Sequence, residues 1–184
     1  KNMPFWDRKI EVVLLTHPQL DHFGGLSEVF KRFQVERFVA TNLDASSQSY
    51  KALISMVGGS GIEVVNPTTG MVIRSGLLYL AIVWPSSDFQ IAEGGSLGSN
   101  VLGAFTSKKD PNDFSVVANL RLGEFDALLT GDAGPRIIRE MIKTGRVHDV
   151  EYIKVPHHGS KNGLTKELLE IASPEVAVIS VGKN

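Results

Sequence analysis

The chain contains no cysteine, and only five histidines and two tryptophans among its 184 residues. Without thiols there is neither a disulfide nor a thiolate zinc site, so any metal centre must draw on histidine, carboxylate, amide and water. Neither sign of charge dominates: 19 Lys and Arg stand against 20 Asp and Glu, a formal net charge of -1. A nucleic-acid partner would therefore be held by a local patch or by metal ions rather than by a broadly basic surface. No run approaches the roughly 20 consecutive apolar residues of a membrane helix, so the chain's own sequence offers no membrane contact. The opening KNMPFWDRK has charge but no apolar stretch behind it of the kind a secretory signal needs, and it reads like a cut inside a longer protein. What remains, 42% hydrophobic and 21% charged, is the composition of one soluble globular domain over residues 1–184.

The apolar pattern alternates strand and helix. IEVVLLT (10–16) predicts a buried strand, and Leu26, Val29, Phe30 and Phe33 share one face of a following helix. A second strand is expected over 35–40 and a helix over 46–57, capped by Ser46 or Ser47. Three short pieces between 62 and 84, IEVVN, MVIRS and LLYLAIVWP, predict an antiparallel section, and residues 86–111 a long loop that serves a site or is partly disordered. FSVVANLRL (114–122) and FDALLTG (125–131) read as paired strands. A helix over Pro135–Lys143 follows, started by proline and stopped by Gly145. YIKVP, a helix over 164–172 and a strand over 176–182 complete the chain. The order predicts an α/β fold of sheets covered by helices, with Trp6 and Trp84 in its core.

Three polar clusters stand where strands end, the edge at which layered α/β folds bind ligands. They are His17, Asp21 and His22 in LLTHPQLDHFGGL, Asp132 in LLTGD, and His157 and His158 in VPHHGSKNG. Each alone has a plain alternative: a helix-entry loop, a turn aspartate, a solvated glycine loop. Together they form a ligand set for divalent ions, because imidazole and carboxylate suit zinc or manganese. Asp132, with two oxygens, is the candidate bridge between two ions, and such a pair acidifies water and stabilises the oxygens entering and leaving a phosphate. That is the layout of a hydrolase. Ser160 and Lys161, beside Asn162, are candidates for holding a phosphate, or else a solvated turn before a helix.

The same residues carry a family resemblance. THPQLDHFGGL resembles the HxHxDH motif of the metallo-β-lactamase superfamily, LLTGD its bridging-aspartate motif, and VPHHGS its last ligand loop. MPFWDRKIEVVLLTHPQLDHFGGL, NDFSVV, LLTGDAG, IKVPHHGSKNG and VAVISVGKN are similar to the metallo-β-lactamase-like domain of the ComEC DNA-uptake channel family, from residue 3 to the end. The resemblance implies a four-layer αββα sandwich, truncated here at both ends. It further implies an extracytoplasmic hydrolase attached to the remainder of a membrane channel, a phosphodiesterase that degrades the DNA strand not imported during natural competence. His17, Asp21, His22, Asp132 and His158 match the ligands of two divalent ions, zinc or manganese, with Asp21 also in the catalytic group. His157 is then the candidate for contacting the scissile phosphate or protonating the leaving oxygen.

Three departures qualify this picture. Gln19 stands where the motif has its second histidine, and an amide oxygen is a poor ligand beside imidazole. The histidine expected before the Thr-Gly-Asp is replaced by NDFS, leaving Asn112 or Asp113 as substitutes, with Asn112 a further candidate for meeting phosphate. The family's preceding strands and hairpin, and a histidine beyond VGKN, are not in the sequence. The expectation is one ion held firmly and the other weakly; the alternative is a degenerate, non-catalytic domain that serves as a structural or DNA-guiding part of the channel.

Overall fold

Two sheets organise the chain in the computed structural model, which describes Pro4, residues 6–96 and residues 98–182. Met3, Phe5, Lys183 and Asn184, on which the resemblance also drew, lie outside the described residues. In the first sheet β1 (Lys9–Leu14), β2 (Gln34–Val39) and β3 (Glu63–Val65) run parallel, with Ile10 beside Val35 and Arg37 beside Glu63. The second has six strands in sequence order: β4 (Val72–Ser75), β5 (Leu78–Trp84), β6 (Val117–Leu122), β7 (Phe125–Leu129), β8 (Tyr152–Lys154) and β9 (Val176–Val178). Strands β4 to β7 are antiparallel, and β7, β8 and β9 are parallel to one another.

Helices cover the outer faces. α1 (Leu20–Phe23), α2 (Leu26–Arg32) and α3 (Gln48–Gly58) belong to the first sheet, where Tyr50, Leu53 and Val57 of α3 pack with Phe23, Phe38 and Ala40. α5 (Pro135–Lys143) buries Ile137, Ile138 and Met141 against Val117, Leu128 and Ile153, and α6 (Lys166–Ala172) adds Leu168 and Ala172. Between the sheets, Leu14 of β1 packs on Ile82, Val116 and Ala118. The order of layers is helix, sheet, sheet, helix: the αββα sandwich. Among the described residues no helix is long and apolar enough to cross a membrane.

Several local expectations change. Glu63–Val65 is not part of an antiparallel section but extends the first sheet in parallel, because α3 carries the chain back across the sheet before it pairs. The expected loop 86–111 contains α4 (Ser87–Ala92), whose first turn is capped by Ser86 Oγ accepting from the Phe89 N–H at 3.1 Å. Its Phe89 ring docks 4.8 Å from Trp84 and 4.9 Å from Phe114. Pro111–Phe114 forms a 3-10 turn, so β6 begins only at Val117. α6 begins at Lys166, because Thr165 Oγ1 caps it through the Leu168 N–H, and β9 ends at Val178. Trp84 is buried as expected, its Nε1–H donating to the Asp113 carbonyl at 2.8 Å, but Trp6 is 72% exposed.

Candidate metal centre

The polar loops meet at one end of the sandwich. After β1 the chain is pinned by the buried Leu15, whose N–H donates to the Val39 carbonyl at 2.9 Å, and then enters Thr16 and His17. The single turn of α1 follows. Its Phe23 is buried with its ring 5.2 Å from that of Tyr50, which anchors the turn in the core and presents Asp21 and His22 at the loop edge. In the second sheet β7 gives way to Thr130, Gly131 and Asp132. Gly131 has φ +53 and lies so close to Ser115 that a Cβ would stand 2.9 Å from the serine Cβ, so only glycine fits. The adjoining Asp132 N–H donates to Ser115 Oγ at 3.0 Å. After β8 the chain makes a tight turn in which His157 (φ 49) and His158 (φ 53) are both left-handed. Non-glycine residues held in that region cost about 1–3 kcal/mol each and tend to mark sites where a side chain must be aimed.

Four side chains converge. One ligand atom each from Asp21, His22, Asp132 and His158 lies within 4.8 Å of all the others. Asp132 Oδ2 is 3.2 Å from His22 Nε2 and 3.2 Å from His158 Nε2. Asp21 Oδ2 lies 3.6 Å and 3.5 Å from the same two nitrogens, which are themselves 3.4 Å apart. The opposite edges of both rings are engaged. His158 Nδ1 sits 2.6 Å from the Ser180 carbonyl oxygen, which can only accept, so Nδ1 carries a proton and Nε2 is the ring atom turned toward the cluster. Thr16 Oγ1 meets His22 Nδ1 at 3.1 Å, so the ring is held from behind while its Nε2 faces Asp132 Oδ2. Two imidazole nitrogens and two carboxylate oxygens, with their outer edges already held, are a donor set that fits a divalent ion.

The electrostatics agree with that fit. Burial works against charge on Asp132, which is 1% exposed, yet the hydrogen bond and charge of His22 and the Lys154 ammonium outweigh it. Its carboxyl is held well below the usual carboxylate range and stays ionised. Lys154 takes the other carboxylate oxygen: its Nζ is 3.2 Å from Asp132 Oδ1 and donates to the Gly131 carbonyl at 2.7 Å.

His17 stands beside the four, not among them. It is fully buried, its Nδ1 lies 3.1 Å from Thr16 Oγ1 and 3.2 Å from Ser115 Oγ, and its ring centroid is 4.1 Å from that of His22. Burial first, and then the His22 charge, push its pKa down from 6.5 to about 4, against the opposing pull of Asp132, Gln19 and Asp21. Its Nε2 is buried without a hydrogen-bond partner.

The remaining candidates lie around the cluster. His157 is half-buried, its backbone N–H on the Gly131 carbonyl at 3.3 Å and its ring outside the group of four. Ser160 donates its N–H to the His157 carbonyl, and Lys161 is exposed. Asn112 sits in the 3-10 turn with its amide oxygen buried and unpaired, while the neighbouring Asp113 is committed to an ion pair with Arg136. Thr16, Ser115, Lys154 and Ser180 were not singled out from the sequence. Lys154 lies four residues before His158 and Thr16 six before His22, which is the one local signal that pointed to them.

Comparison with known proteins follows the same line. The family described as the metallo-beta-lactamase superfamily matches residues 7–183. ComE operon protein 3 of Bacillus subtilis is 23% identical over 96% of this chain, which spans 20% of that protein. Recombination protein 2 of Haemophilus influenzae is 25% identical over 98% of this chain and 19% of its own length. The chain thus spans about a fifth of the curated relatives it matches. A solved structure of a CmlA beta-hydroxylase mutant superimposes with a TM-score of 0.52 at 14% identity, covering 96% of this chain and 36% of that one, a likeness of fold. By the family match along nearly its whole length, the chain belongs to the metallo-β-lactamase superfamily.

Proposed function

We propose that the chain is a metal-dependent phosphodiesterase that cleaves DNA, a single hydrolase domain within a larger membrane channel protein. On this reading it lies on the extracytoplasmic face and degrades the strand that is not imported during natural competence. The observation that carries the reading is the convergence of Asp21, His22, Asp132 and His158 within 4.8 Å. The superfamily, whose members include metal-dependent hydrolases, and the two relatives of which this chain spans a fifth support it further.

The four residues would hold zinc or manganese, and a divalent ion there supplies Lewis acidity toward a phosphoryl oxygen and brings the ionisation of water toward neutral pH. Asp132, held ionised, needs no proton loss to serve, and the engagement of His158 Nδ1 with the Ser180 carbonyl leaves Nε2 as that ring's ligand atom. His157, poised by its left-handed backbone at the mouth of the same loop, is assigned to the scissile phosphate or the leaving oxygen, and Ser160, Lys161 and Asn112 to flanking phosphate. The second ion expected from the resemblance has a poorer set, since Gln19 replaces a histidine and His17 stands outside the four.

That last observation favours a second reading, a domain that keeps the fold and guides DNA without turnover. A nuclease assay on linear DNA with magnesium, manganese or zinc, comparing the wild type with Asp21→Ala, separates the two. Cleavage with one of these ions that disappears in the variant is the expected result. A wild type that binds metal but cuts no DNA overturns the hydrolase in favour of the guiding domain.

A further inference from the structure

Lys154 touches the carboxylate of Asp132, and the metal reading leaves it without a task. It is the last residue of β8, paired in register with Leu129 of β7, and its carbonyl accepts from Thr130 Oγ1 at 2.6 Å. Its backbone is therefore tied on both sides to the segment that presents Asp132. The side chain is 20% exposed and divides its ammonium between the Gly131 carbonyl and Asp132 Oδ1. The two oxygens of Asp132 thus have different partners: Oδ2 faces His22 and His158, and Oδ1 faces a fixed cation. A dication seated on Oδ1 would stand within hydrogen-bond distance of an ammonium, and His17, whose buried Nε2 has no hydrogen-bond partner, is outside the four converging side chains.

We propose that Lys154 is a positioning residue that occupies the second coordination side of Asp132, so that the centre carries a single divalent ion and the lysine supplies the other positive charge. This rests on the metal-dependent reading above. The ammonium binds Oδ1 and presents Oδ2 alone to the ion held with Asp21, His22 and His158.

The test counts ions. The purified chain, stripped with chelator, is titrated separately with Mn2+ and Zn2+, and bound metal is measured by calorimetry and by elemental mass spectrometry after desalting. The wild type is expected to hold one equivalent, with the six-line electron paramagnetic resonance spectrum of isolated manganese. Lys154→Met should admit a second equivalent and show a spin-coupled manganese pair, and His17→Ala added to it should remove that second ion. Lys154→Arg, which keeps a cation, should stay at one. A wild type holding two equivalents, or a folded Lys154→Met that stays at one, overturns the proposal while leaving the metal-dependent reading intact. A wild type that binds none overturns both, whereas one bound ion without DNA cleavage removes only the nuclease assignment. If circular dichroism shows that Lys154→Met is unfolded, Lys154→Gln takes its place with the same expected count.

Discussion

Acidification should cost this protein stability through one buried ring. His17 is fully buried and its pKa is lowered from 6.5 to about 4. In the window between those values the unfolded chain binds a proton that the folded chain refuses, so stability falls as pH falls. A gap of about 2.5, at about 1.4 kcal/mol for each, gives ~3 kcal/mol lost between pH 6.5 and pH 4. Above pH 6.5 both states are neutral and the contribution is flat. Asp132 acts in a different window: its folded value is depressed, so its contribution is complete above the ordinary carboxylate range and disappears only in stronger acid. The assay is urea unfolding in chelator at half-unit steps from pH 7.5 to 4, on the wild type and on His17→Gln. The variant is expected to start less stable at neutral pH and to show a slope shallower by ~3 kcal/mol across the window. Parallel curves for the two proteins would show that the ring titrates as it does in the unfolded chain, and the burial argument would fail.

Other perturbations have equally definite outcomes. Thr16→Val keeps the shape but removes the hydroxyl behind His22 Nδ1, and manganese affinity measured by calorimetry should fall roughly 10–100-fold while circular dichroism stays unchanged. Ile138→Ala empties a fully buried position beneath the second sheet and should cost about 2–5 kcal/mol in urea unfolding. Gly145→Ala, in open space at φ +68, should cost only the left-handed strain of roughly 1–2 kcal/mol. Gly131→Ala, at φ +53 and pressed against Ser115, should cost more by the same measurement and should also weaken metal binding, since Asp132 is the next residue.

What could be read from the sequence was what is decided locally. Pro135–Lys143 is helical from end to end because proline starts it, Gly145 stops it, and Ile137, Ile138 and Met141 recur on one face. The cap of α3 was legible to within one residue: of Ser46 and Ser47, it is Ser47 whose hydroxyl accepts from the Tyr50 N–H. The direction of β3 was not, because three extended residues carry no mark of which strand they will meet; the crossing of α3 decides it. α4 was hidden for a related reason: six mixed residues become a helix when Phe89 docks on Trp84 and on Phe114, the latter 25 residues away. Within the site, one motif supplied both His17 and His22, but their surroundings differ through Ser115, 98 residues from His17. Lys154 read as an ordinary polar strand residue, and only the packed sheet reveals which oxygen it meets.

The cluster also ties together distant parts of the chain. His22 meets Asp132 across 110 residues and His158 across 136, and the four contributors divide two and two between the first sheet's loop and the second sheet. An ion captured here would act as a clasp across the seam between the two halves, available only to molecules in which both have already docked. Metal capture should then come late in folding, and chelation should loosen the association of the halves before it melts either one.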